Sequence, residues 1–131
     1  MGSLLKETKV NLHRVLQVVE VFRVLDADMP IGMVTAFLIT VLGETEDGGI
    51  TITELRDRGE FSLTAASRYA QVLGDLARKK VLKDGGLEDT RGVGLQLIQA
   101  QPDRLDNRRK ILRTTAKGRR ITSQIEHALG V

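Results

Sequence analysis

Apolar residues set the rhythm of the first 25 positions. In LLKETKVNLHRVLQVVEVFRVL (residues 4–25), Leu12, Val15, Leu16, Val19 and Phe22 fall at i, i+3, i+4, i+7 and i+10, which is helical spacing. The valines favour strand locally, but the period favours helix. Val18, Val21 and Leu25 widen the stripe beyond what one small core needs. A helix this apolar has surface to offer a second subunit. DADMPIG breaks it, and Asp28 and Pro30 are start signals for a next helix. That helix runs through MVTAFLITVLGE, with Val34, Phe37, Leu38, Val41 and Leu42 expected on one side, and TEDGG ends it.

Residues 50–80 carry the densest local grammar. Thr51 and Glu54 form T-x-x-E, a capping box, and Ile50 and Leu55 occupy the staple positions around it. Gly59 is placed to stop this short helix in a left-handed turn. Ser62 then caps a longer helix, expected to reach about Lys80. A short capped helix, a tight turn and a longer helix match helix-turn-helix spacing, and they equally match an ordinary helical hairpin. At 100° per residue, Ala66, Ala70, Leu73 and Ala77 form a narrow inner face bordered by Tyr69 and Leu76. Thr64, Ser67, Arg68, Gln71, Asp75 and Arg78 lie opposite. These polar types can read base edges or hold phosphates, or can simply face solvent. Asp75 suits solvent, which places any contacts toward the N-terminal turns.

Between Val81 and Leu95, Gly85, Gly86, Gly92 and Gly94 mark a loop. It lacks the G-x-x-x-x-G-K-[ST] order of a phosphate loop. LQLIQAQ (95–101) reads as a strand, Pro102-Asp103 as a turn, and RRKILRTT (108–115) as the antiparallel partner. Residues 117–129, with Ile121, Ile125 and Leu129 in register, close the chain as a helix. The expected fold is mainly α with a small β element, in one domain spanning 1–131.

Composition narrows the chemistry. There is no Cys, which excludes disulfides and cysteine-ligated zinc. No apolar run approaches a membrane span and no signal-peptide core is visible, so the expected location is cytoplasmic. His13 and His127 fall on different terminal helices, and no nucleophile, paired-carboxylate or metal-ligand pattern stands out. The residues thus suggest no enzyme, no metal and no cofactor. Charge adds more. Residues 104–120 hold eight basic residues against the single acid Asp106, in a chain of net charge +3. Positive charge focused in this way suits a polyanion.

The stretch DNRRKILRTTAKG (106–118) resembles the winged helix-turn-helix proteins of the MarR type. Asp106, Arg108, Thr115, Lys117 and Gly118 stand at matching places, while Asn107, Thr114 and Ala116 replace the family's arginine, leucine and proline. FSLTAASRYAQVLGDLARKKVL is similar to the family's recognition helix, with its Ser67-Arg68 pair, and PIGMVTAFLITVL to the helix before it. The resemblance covers roughly residues 5–129. The GVGL element and the long 81–95 connection resemble MarR-like proteins encoded by phages and prophages.

The resemblance implies a winged helix with a wing at 95–115 and a dimer on pseudopalindromic duplex DNA. The terminal helices, 4–25 and 117–129, would form the dimer arm through Leu12, Val15, Val19, Phe22, Ile125 and Leu129. Because the last helix is short, the arm would lean on the first. The recognition helix, with Ser62, Thr64, Ser67, Arg68 and Gln71, would enter the major groove. Arg104, Arg108 and Arg109 at the wing tip would enter the minor groove, with Asp106 holding Arg108 by a charged hydrogen bond. Arginines on a hairpin tip suit a narrow, electronegative groove. Lys110, Arg113 and Lys117 are placed to neutralise phosphates. The function implied is a sequence-specific transcriptional regulator, a repressor in the first instance. The alternative is a winged-helix protein–protein or phage accessory module without specific DNA recognition. Small aromatic acids are frequent effectors of MarR-type proteins, but with so few aromatics here the sequence identifies neither an effector nor its pocket.

Overall fold

A computed structural model describes residues 2–74, 79–81, 87–89 and 94–130, with side-chain environments for 5–74 and 94–130. The described elements are α1 (Gly2–Leu25), α2 (Ile31–Asp47), α3 (Ile52–Gly59), α4 (Leu63–Leu73), β1 (Lys79–Val81), β2 (Leu87–Asp89), β3 (Ile98–Pro102), β4 (Lys110–Thr114) and α5 (Ala116–Ala128). The order is that of a winged helix-turn-helix: α3 and α4 form the helix pair, and β3 and β4 form the wing.

One core joins these elements. Phe37 and Ala36 of α2, Leu55 of α3, Ala66 and Leu73 of α4, and Ile50 and Leu97 are fully enclosed. Phe22 of α1 meets Phe37 edge to face, with ring centroids 5.9 Å apart. Ile121 of α5 is buried, and Ile125 packs against the same cluster. The face of α2 differs from the expected one: Met33, Ala36, Phe37, Thr40 and Gly43 point inward, while Leu38 and Leu42 are exposed. Apolar residues occupy nearly every side of α2, so periodicity cannot choose between faces. Gly48, at φ 75°, closes α2 in the left-handed conformation.

The capping signals hold. Thr51 Oγ1 accepts from the Glu54 amide at 3.1 Å, and Ser62 Oγ from the Ala65 amide at 3.0 Å. Ile50 and Leu55 are both fully buried, as a hydrophobic staple requires. The stop of α3 is different. Gly59 remains helical, and Glu60 adopts the left-handed conformation at φ 55°. The Glu60 amide donates to the Asp57 carbonyl and the Phe61 amide to the Arg56 carbonyl, which is a Schellman closure. Gly59 is small for another reason. A Cβ there would stand 2.3 Å from the Phe61 ring, which folds back over the turn.

The recognition-type helix also ends earlier than about Lys80. At Gly74 (φ −92°, ψ −139°) the chain leaves the helix. The carbonyls of Val72, Leu73 and Gly74 then accept from the amides of Leu95, Leu97 and Gln96 at 2.8–3.0 Å, so the chain entering the wing takes the place of another helical turn. Asp75, Leu76, Ala77 and Arg78 lie outside the described residues. The expected loop from Val81 to Leu95 contains a strand: Leu87–Asp89 pairs antiparallel with Lys79–Val81. Of its glycines, Gly85, Gly86 and Gly92 lie outside the described residues.

The wing pairs Ile98 with Thr114 and Pro102 with Lys110. The outer edge of β4 is covered. Its Leu112 amide donates to the Ile50 carbonyl at 2.7 Å, and its Thr114 amide to Glu44 Oε2 at 2.8 Å. Thr114 also donates its hydroxyl to Glu44 Oε2 at 2.5 Å. Threonine at this wing-base position is thus accommodated by a carboxylate on α2, in place of an apolar contact. Thr115 caps α5 through the Gly118 amide. A Cβ on Gly118 would lie 2.1 Å from the Leu97 carbonyl oxygen, so only glycine lets α5 approach the entry to the wing this closely.

Candidate nucleic-acid interface

The α4 positions expected to be polar split into two groups. Thr64 and Arg68 are exposed, whereas Ser67 and Gln71 are half-buried. Ser67 and Gln71 line a cleft of about 410 Å³ between α4 and the wing, shared with Gln99, Ala100 and Lys110. Alternation along β4 places Lys110, Leu112 and Thr114 on one face of the sheet and Ile111 and Arg113 on the other. Lys110 is therefore brought together with α4, and Arg113 is not. Arg113 is half-buried, and its Nε is enclosed without a hydrogen-bond partner. Ser62 is occupied as the N-cap of α4.

Arg68 carries its guanidinium 5.5 Å from the Tyr69 ring centroid. Tyr69 in turn meets Phe61 edge to face at 5.3 Å. The cation thus lies against the Tyr69 ring midway along α4. This contact is worth about 0.5–1 kcal/mol at an exposed site and leaves the polar nitrogens available.

At the wing tip, Arg104, Arg108, Arg109 and Lys110 are all exposed. The tip is shaped by two aspartates acting on the main chain. Asp103 Oδ1 accepts from the Leu105 amide and Asp106 Oδ1 from the Arg108 amide, each at 3.0 Å. The Asp103 amide donates to the Arg109 carbonyl at 2.8 Å, and the Arg109 amide to the Asp106 carbonyl at 3.0 Å. The expected Asp106 contact to the Arg108 guanidinium is replaced by this contact to the Arg108 amide. An aspartate two residues before an amide closes its own turn more readily than it reaches a long side chain.

The arginine that is held is Arg109. Its Nη2 lies 3.1 Å from Glu54 Oε1 on α3. Glu54 Oε1 also accepts from the Thr51 hydroxyl at 3.2 Å, and Glu54 Oε2 lies 3.7 Å from Arg58, whose Nη2 bonds Asp47 at 2.7 Å. The hydrogen bond that Arg58 donates to Asp47 raises its pKa above the ordinary arginine value. These pairs are exposed and each contributes little stability. What they do is join α2, α3 and the wing root by fixed polar contacts. Sequence reading assigned Glu54 to capping alone. Its partner Arg109 is 55 residues away, and nothing local announces that contact.

On the terminal helices, Leu12, Val15 and Val19 are exposed, as are Leu5 and Leu16 beside them, and Leu129 is 43% exposed. Phe22 is only 3% exposed: its ring is spent on Phe37 within the same chain and has no surface left for a partner. Ile125 is half-buried against the core. Among the described residues, no group of three or more His, Asp or Glu side chains is placed to hold a metal, and no helix is long and apolar enough to cross a membrane.

The helix pair, the β3–β4 wing and the flanking α1 and α5 together define a winged helix-turn-helix fold. Solved structures share it. RV1404 from Mycobacterium tuberculosis superposes with a TM-score of 0.59 at 16% identity, covering 97% of this chain and 72% of that one. The transcriptional regulator Tm0710 from Thermotoga maritima gives 0.57 at 16% identity, covering 97% and 70%. The YusO protein from Bacillus subtilis gives 0.54 at 14% identity, covering 97% and 76%. No family model and no curated protein matches the chain by sequence.

Proposed function

We propose that the chain is a sequence-specific double-stranded DNA-binding transcriptional regulator that works in the cytoplasm as a homodimer and represses the genes it binds. The observation that carries this reading is the cleft between α4 and the wing, where Ser67 and Gln71 face Lys110. A helix in the major groove and a cationic hairpin over the next minor groove leave one sugar–phosphate strand between them, and a polar cleft rimmed by a lysine suits that strand. Thr64 and Arg68 then meet base edges. Arg104 and Arg108 reach the minor groove, with Asp106 shaping the tip that carries them, while Arg109, paired to Glu54, braces the wing root. Tm0710, a transcriptional regulator of the same fold, supports the class.

The dimer rests on α1. Leu5, Leu12, Leu16 and Val19 share one exposed side of α1, adjacent to the position from which Phe22 turns inward, and together they are more than isolated surface leucines explain. Val15 borders it. Selection from a random-sequence duplex pool tests the function. The expected product is a two-fold symmetric site with half-sites about one helical turn apart. A pool that fails to converge favours the accessory-module reading instead.

A further inference from the structure

We propose that Leu105 is an apolar wedge that enters a base step of the minor groove and bends the duplex. The proposal rests on the DNA-binding reading above and extends it to a residue with no charge.

Leu105 is 96% exposed, more than any other large hydrophobic side chain among the described residues. It stands at the apex of the wing, in the sequence Asp103-Arg104-Leu105-Asp106-Asn107-Arg108, where every neighbour is polar or charged. The fold does not use it, because a side chain this exposed packs on nothing. Nor is it set out on a slack loop. Its own amide is bonded to Asp103 Oδ1, the Arg108 amide to Asp106 Oδ1, and the Asp103 amide to the Arg109 carbonyl. Arg109 is tied to Glu54 on α3, which fixes the wing root relative to the helix pair. The loop thus presents one leucine, outward, among charged neighbours.

Those flanking charges decide the partner. An apolar tip alone would suit a protein or a lipid, but Arg104, Arg108, Arg109 and Lys110 outnumber Asp103 and Asp106, whose carboxylates accept from main-chain amides, and this net positive charge favours a polyanion. Minor-groove proteins combine these two features: cations follow the groove, and a Leu, Ile, Phe or Met partly unstacks a base step and kinks the duplex. Leucine contributes no phosphate contact, so its effect separates cleanly from that of the arginines.

The test uses the full chain and a duplex enriched by it from a random-sequence pool, with donor and acceptor dyes on the two ends. Leu105→Ala is expected to fold as the wild type does, to bind about tenfold more weakly and to lose most of the bend. The slope of log Kd against log salt should not change, since no counterion-releasing charge is removed. Leu105→Phe should restore the bend. Arg108→Ala should instead flatten the slope. If Leu105→Ala binds the selected duplex with wild-type affinity and wild-type bend, the wedge is overturned and the DNA-binding reading stands. If the wild-type chain enriches no duplex at all, both fall together.

Discussion

Glu44 offers a demanding stability test, because one carboxylate oxygen there serves two donors. Thr114 is only 4% exposed, and its amide and hydroxyl both bond Glu44 Oε2, at 2.8 and 2.5 Å. Its carbonyl is already taken by Arg119 at 3.1 Å. Glu44→Ala leaves an edge amide of β4 without an acceptor and frees the hydroxyl. An unsatisfied buried donor costs about 1–3 kcal/mol, and the lost charge-assisted bond to the hydroxyl adds about 1–2 kcal/mol. Water entering the adjoining groove beside Thr45, Thr122 and Glu126 recovers part of this. The net expectation is a loss of about 2–3 kcal/mol, or roughly 8–12 °C in Tm for a chain of this size. Glu44→Gln keeps an acceptor and should lose only about 1 kcal/mol. Thr114→Val removes the hydroxyl alone, and its effect should not add to that of Glu44→Ala, since the two residues form one unit. Urea unfolding followed by circular dichroism at constant m-value measures the wild type, the three single variants and the Glu44→Ala/Thr114→Val double variant. A Glu44→Ala midpoint within about 0.5 kcal/mol of wild type would refute the claim that this contact holds the wing base to α2.

Glu60→Gly should stabilise the protein by about 0.5–1 kcal/mol, because φ 55° strains any residue with a Cβ; thermal melting that shows no gain would place the strain elsewhere. Leu16→Glu, in the middle of the exposed α1 stripe, should convert a sedimenting dimer into a monomer without loss of helix content, and an unchanged sedimentation profile would remove α1 from the interface. Arg68→Ala should cost about 1–3 kcal/mol of discrimination between the selected duplex and a variant of it. Lys110→Ala should weaken every duplex alike and reduce the salt slope by about one ion. If the two variants behave alike in competition binding, the division between base reading and phosphate contact is wrong.

Local signals were legible in the sequence where the physics is local. Thr51, Ser62 and the Ile50–Leu55 staple all act within a few residues of themselves, and each was readable from spacing. The alternation in LQLIQAQ and RRKILRTT likewise gave the wing to within a few residues. Features decided by distant partners were not. The length of α4 depends on carbonyls that accept from residues 95–97, so its helical propensity overstated it. Phe22 continues the α1 period of Leu12, Val15 and Val19, yet it alone of these turns inward, because Phe37 waits there. Gly59 looked like a left-handed stop, but a ring two residues on needed its space and Glu60 took the turn. At the candidate site, composition exposed the cationic wing. It could not show that Arg109 leans on Glu54, that Arg113 faces away from α4, or that Leu105 stands clear at the tip.

The central claim is sequence-specific binding of duplex DNA through α4 and the wing. Its most direct test is the dissociation constant for the selected duplex and for a scrambled duplex of equal length, measured from about 0.05 to 0.2 M salt. The account predicts that both affinities fall steeply as salt rises while the selected duplex keeps its preference at the highest salt. Equal affinity for the two duplexes at every salt concentration would contradict it.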